Sequence, residues 1–163
     1  MVESRASNHI GKKMTLIEKK QNLLATLSQI KDAQERFAYV VERGRRQPLL
    51  DASLKTDEFR VEGCLAKLWI VPEFKGGKCY FRTDSDSAIM KGVSSVLCEF
   101  YSGQKPEEIV SIDPSFLGQV GITQHLTQNR RNGLARVWEK IRGFAQSHQK
   151  AEPPPSSSTP TYL

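Results

Sequence analysis

Residues 58–84, EFRVEGCLAKLWIVPEFKGGKCYFRTD, hold the only strong β signal in the chain. Three runs within them, EFRVEG, LAKLWIVPEF and KCYFRTD, are rich in aliphatic and aromatic residues and bounded by glycines. That pattern predicts three strands. Gly76-Gly77, between the second and third runs, supplies a hairpin turn, because glycine accepts the positive φ such turns demand. Pro72 cannot donate to a ladder, so the middle run must bend, end or lie on an edge there. Between the first two runs stands Cys64, directly after Gly63.

On either side the period changes to that of helices. Upstream, a helix is expected over about Thr15–Leu27, with Ile17, Leu24 and Leu27 among its apolar positions. A second begins at Asp32, where Glu35 three residues on resembles a capping box. Phe37, Val40 and Val41 form its buried stripe, and Gly44 near its end suits a C-cap. Downstream, Ile89, Val93, Val96, Leu97 and Phe100 fall within one ~100° face of a helix that starts near Asp86. Asp84 and Asp86 read as N-caps for that helix, with contact to a partner as the second reading. Gly103 closes it, Pro106-Glu107-Glu108 opens a short helix, and Asp113-Pro114 marks another break. Leu134, Val137, Trp138 and Ile141 then give a last helix its stripe, with Thr127 as N-cap. The expected order is αα–βββ–ααα, an α+β domain whose small three-stranded antiparallel sheet is flanked by helices. The domain should span residues 14–149. Residues 1–13 are expected to be flexible, and residues 150–163, ending AEPPPSSSTPTYL, to form a disordered Pro/Ser-rich tail.

Composition bounds the function. The chain has 163 residues, 38% hydrophobic and 26% charged, enough for one soluble domain. No apolar run approaches the ~20 residues of a membrane-spanning helix. The start, MVESRASNHIGKKM, has no apolar segment behind its basic residues, so a cytoplasmic protein is expected. Three cysteines without a CxxC, with only His125 and His148 outside the N-terminal segment, argue against a disulfide framework and a closed zinc site. The net charge of +6 is concentrated near the end, where residues 127–150 carry six basic side chains against Glu139 alone. That helix invites comparison with a nucleic-acid-binding module, but no aromatic-rich motif or recognition signature accompanies it.

Each cysteine has a packing reading and a chemical one. Cys79 lies within a strand beside Tyr80 and Phe81, as a buried hydrophobe would. Cys98 falls about 180° from Ile89 around its helix, either exposed or filling a second layer. Cys64 follows a glycine in a tight loop, where scaffolds hold reactive groups. From the residues alone, both readings of Cys64 stay open. An iron–sulfur scaffold would need all three thiols at one place, and the phase of Cys98 gives that no support.

The chain resembles the SufE family, the sulfur-acceptor partners of cysteine desulfurases. The resemblance runs from about Phe37 to Ala145 and rests on Glu62-Gly63-Cys64 followed by Trp69, on DSDSAIMKG (Asp84 to Gly92), and on ITQHLTQNRRNGL (Ile122 to Leu134). It implies a covalent sulfur carrier and activator rather than an enzyme, with no cofactor of its own. Cys64 would be the nucleophile that carries the persulfide, with Arg130, His125, Asp86 and Gly63 in supporting or partner-binding roles; Arg131 is a further candidate. The implied partners are a pyridoxal-phosphate-dependent cysteine desulfurase and a downstream iron–sulfur scaffold or other acceptor, with neither membrane nor nucleic acid. One departure is visible: the family's common Gly-Cys-x-Ser has Ala66 in place of the serine. Acidity alone gains such a carrier little. Lowering a thiol pKa from ~8.5 to ~7 raises the thiolate about eightfold near pH 7.5, and a Brønsted coefficient of ~0.45 takes back about fivefold. Placement should therefore matter more than acidity.

Overall fold

Two glycines turn the chain back on itself. Gly76 and Gly77 have φ of 60° and 79°, the left-handed pair that a type I′ turn needs and that matches the twist of its strands. The computed structural model describes residues 14–149; the expectations for residues 1–13 and 150–163 lie outside them. Around the turn, β1 (Leu68–Lys75) pairs antiparallel with β2 (Lys78–Ser85), closing at Lys75–Lys78. Both strands of so small a sheet are edges. Counting from the closing pair, Pro72 and Phe81 face each other without exchanging backbone bonds, so the missing N–H of Pro72 is not needed. In keeping with that count, the Phe81 amide donates outward, to Ser102 Oγ at 2.9 Å.

The sheet has two strands, not the expected three. EFRVEG is split between a 3₁₀ turn, Asp57–Phe59, and a single bridge from Arg60 to Trp69. Its Val61 is buried and donates its amide to Leu68 O at 2.8 Å. The pairing stops there because Gly63 turns to φ 81°. The apolar content of that run thus reflects one anchoring valine and the turn residue Phe59.

Six α-helices are present among the described residues: α1 (Leu16–Ser28), α2 (Ala33–Arg45), α3 (Ala88–Tyr101), α4 (Pro106–Ser111), α5 (Phe116–Gln119) and α6 (Gln128–Ser147). The order is therefore αα–ββ–αααα, with a short helix α5 that the pattern did not announce. Thr15 and Glu18 form a reciprocal capping box on α1. Asp32 caps α2 through the Glu35 amide. Ser87, rather than Asp84 or Asp86, caps α3, accepting from the Met90 amide at 3.2 Å; it is the residue adjoining the first turn.

Helix α3 is the centre of the domain, packed against α1, α2, α6 and β2. It is buried without interruption from Met90 to Cys98, as a helix covered on all sides must be. The predicted stripe is inside except for Ile89, which is partly buried, and so is Cys98 opposite it. Gly44 is not a C-cap: it lies within α2 and is buried, and Arg46 ends the helix. A Cβ on Gly44 would sit 2.2 Å from Gly92 Cα, and one on Gly92 would sit 2.6 Å from Val41 Cα. The two helix backbones touch, which only glycine permits at both points.

Asp84 is 1% exposed. It accepts the amides of Leu50 (2.9 Å) and Ser85 (2.8 Å) and faces Lys91 at 3.5 Å and Lys55 at 3.4 Å. Lys91, itself buried, also donates to Gln47 O. Burial alone would raise the Asp84 carboxyl, but the two amides and then the two lysines outweigh it and hold it below the usual carboxylate range.

Two outcomes are expected of the fold. Asp84→Ala leaves two amides and the Lys91 charge unanswered inside, so denaturant unfolding at pH 7 should show a loss of about 3 kcal/mol. In the wild type the folded-state value lies below the unfolded ~3.9, so the Asp84 contribution is complete above about pH 4 and is lost as pH falls through the folded value. Gly44→Ala gains helix propensity of up to about 1 kcal/mol, yet must separate α2 from α3. The net effect should be destabilising by about 1–3 kcal/mol, read from the same unfolding curves.

Candidate functional site

The loop carrying Cys64 is tied at both ends of its base. At one end is the Val61–Leu68 bond. At the other, Lys67 donates its amide to Asp86 Oδ1 at 3.0 Å, while Lys67 O accepts from the Asp86 amide (3.1 Å) and Ser85 Oγ (2.7 Å). Asp86 thus fastens the end of the loop to the start of α3. Gly63 is required by its backbone conformation. Its φ of 81° disfavours a side chain, and a Cβ there would lie 3.0 Å from Arg136 Nε.

Cys64 is half-buried. Its Sγ rests on α6 at Gly133, where a Cβ would stand 2.8 Å from the sulfur and 3.2 Å from Met90 Cε. A cavity of about 270 Å³ adjoins the thiol, walled on its apolar side by Leu65, Ala66 and Met90. Its polar side is made by Ser87, Thr127, Asn129 and Arg130. Ser87 and Thr127 are the N-caps of α3 and α6, so two helix starts meet there. Positive ends of two helix dipoles and one guanidinium favour an anion in that space. Among the described residues no carboxylate pairs with Arg130.

The other expected residues separate. His125 is exposed, lies in the 3₁₀ turn Thr123–His125 and sits 5.3 Å from the Phe37 ring, outside the wall of the Cys64 cavity. Arg131 is committed to Leu126 O at 2.7 Å and to Gln128 Oε1, which fixes the turn before α6. Cys79 and Cys98 are core residues. Burial, and then the Glu107 charge, pushes the Cys79 thiol up to about 11, and burial raises Cys98 as well. Among the described residues no three His, Cys, Asp or Glu side chains gather where they could hold a metal ion. No described helix is long and apolar enough to cross a membrane.

Sequence reasoning gave no role to Gly133, Met90, Ser87 or Arg136. One signal was available: a glycine inside an otherwise regular helix usually marks a close approach, and Gly133 is such a glycine. Arg136 offered none, being one basic residue among several on α6.

Residues 21–145 match the SufE family, described as an Fe-S metabolism associated domain, and the chain belongs to that family. An uncharacterised SufE-like protein of Rhizobium meliloti is 29% identical over 123 residues, covering 72% of this chain and 88% of its own. The solution structure of a hypothetical protein from Thermus thermophilus superposes with a TM-score of 0.61 at 16% identity. It covers 80% of this chain and 95% of the other, a likeness of fold. Membership associates the protein with iron–sulfur metabolism.

Under native conditions iodoacetamide should modify one thiol, Cys64, leaving Cys79 and Cys98 to react only after unfolding; peptide mass mapping reads this directly. Gly133→Ala puts a methyl where the Cys64 sulfur now rests. It should speed Cys64 alkylation several-fold by pushing the thiol outward, without slowing Cys79 or Cys98 in the unfolded chain.

Proposed function

We propose that the protein is a sulfur acceptor that takes a persulfide sulfur from a cysteine desulfurase onto Cys64 and relays it toward iron–sulfur assembly. The observation that carries this reading is the half-buried Cys64 thiol beside a cavity at two helix N-termini and Arg130. Membership of a family associated with iron–sulfur metabolism supports it.

The chemistry is a displacement at sulfur. The Cys64 thiolate attacks the outer sulfur of the donor's cysteine persulfide, forming a new S–S bond. The donor's own S–S bond breaks, and its cysteine leaves as a thiolate. One neutral sulfur atom and the proton it carries move together, so no external oxidant or reductant is consumed. After transfer the outer sulfur, ionised, would occupy the space beside Cys64, where the Arg130 guanidinium and the starts of α3 and α6 meet its charge. Met90 and Ala66 also line that space and would limit the approach of reducing thiols. A second transfer of the same kind would deliver the sulfur to an iron–sulfur scaffold or another acceptor.

The test is a pyridoxal-phosphate-dependent cysteine desulfurase from the same source, supplied with L-cysteine, with and without this protein. Wild type should stimulate turnover and gain about 32 Da, one sulfur atom, on Cys64. Cys64→Ser should do neither. Arg130→Ala should load more slowly, by about tenfold if one charge-assisted contact worth ~1.4 kcal/mol is lost. Equal stimulation by Cys64→Ser would falsify the carrier role.

A further inference from the structure

The cysteine loop is anchored at its base but free of backbone ties along its crest. Among the described residues, no backbone hydrogen bond joins residues 62–66 to another element. Besides the packing of Ala66 on the core, two side-chain contacts with α6 hold the crest. The Cys64 sulfur sits on Gly133, and one turn further along the same helix the Arg136 guanidinium lies near Gly63. The position a Gly63 Cβ would take is 3.0 Å from Nε, 3.6 Å from Cζ and 3.7 Å from Nη2 of Arg136. The Nε edge of the guanidinium is therefore the part nearest the glycine.

What keeps Arg136 there is slight. Its Nη1 reaches Glu139 Oε1 at 3.2 Å, and both side chains are more than half exposed. An exposed pair of this kind, three residues apart on one helix, contributes little. Only one of the guanidinium's N–H groups is used in that bond, so a second carboxylate can be gripped by two. Lys140 shares the cleft with Arg136, Glu62 and Glu139, and Arg130 lines the cavity on the other side of the loop. Next to Cys64, Leu65 is 81% exposed, so the packing that resists outward movement of the crest comes from Cys64 and Ala66, both only partly buried against the core.

We propose that Arg136 is a latch on the cysteine loop, opened when a carboxylate of the docking sulfur donor draws the guanidinium off Gly63 and Glu139. This rests on the sulfur-acceptor reading above. The donor's contact face would carry an acidic side chain beside its persulfide. Displacing Arg136 frees Gly63, whose φ has no side chain to restrain it, and the Cys64 sulfur lifts from Gly133 toward the donor. The latch couples exposure of the thiol to arrival of the right partner. Arg136 is a positioning residue and touches no reacting atom.

Two measurements test it on the full chain, with thermal unfolding as a check that the exposed substitutions leave the fold intact. The first is Cys64 alkylation by iodoacetamide without any partner. Arg136→Ala should react several-fold faster than wild type, and Arg136→Lys, which keeps the charge but loses the plane, should fall between them. The second is persulfide loading against desulfurase concentration. Arg136→Ala should raise the half-saturating concentration while the rate at saturation stays at or above wild type. Glu139→Gln should lower the half-saturating concentration, since Arg136 is then freer to meet the donor. Unchanged alkylation in Arg136→Ala overturns the latch, and so does a fall in the saturated rate at unchanged half-saturation. A wild-type chain that the desulfurase cannot load refutes the sulfur-acceptor reading instead, and the alkylation rates still decide the latch.

Discussion

A carboxylate shut away from water needs an answer to every lone pair, and Asp84 receives its answers from three parts of the chain. The Leu50 amide and Lys55 bring in the segment after α2, the Ser85 amide comes from the end of β2, and Lys91 comes from α3. Lys91 reaches back to Gln47 as well. The hairpin, the central helix and the approach to the cysteine loop are thereby held in one relation. Two residues further on, Asp86 uses that fixed point to fasten Lys67. The place of Cys64 follows from these two carboxylates before any side chain near the thiol is considered.

With the base held, the chemistry of the site comes from where the sulfur can rest. Gly133 leaves room for it on α6, Met90 supplies an apolar floor, and the caps of α3 and α6 bring partial positive charge to the far wall. An arrangement of this kind shelters a sulfur without help from His125, which lies with Phe37 instead. A carrier differs from a catalyst in this respect. Under the proposed reading it would have to receive, keep and give up one atom, and each task would depend on access and geometry more than on acidity. On the proposed reading, a loop fixed at its ends and held at its crest by side chains alone would serve both shielding and presentation.

The hairpin and the helices were legible because their causes are local. Gly76-Gly77 has the backbone freedom its turn requires, Asp32 and Thr127 cap the helices they precede, and the apolar stripes of α3 and α6 are buried apart from the partly covered Ile89 and Trp138. The reading failed where a local signal had a distant cause. EFRVEG looked like a strand because Phe59 and Val61 are apolar, yet Val61 is an anchor beneath a loop. Gly44 looked like a helix end because glycine often is one, yet it is small so that α3 can pass. Asp84 and Asp86 looked like caps because they precede a helix, yet Ser87 stands closer and the two carboxylates are used to tie segments together.

The sequence by itself thus determined the hairpin, the longer helices and the loop position of Cys64, since φ preferences and residue periodicity act over a few neighbours. The tertiary structure decided which glycines are contact points, that Cys64 rests on Gly133 with Arg130 and two helix caps around it, and that Arg136 covers Gly63. Those relations join residues far apart in the chain. They exist only once burial of α3 has brought the loop and α6 together, so no local pattern can encode them.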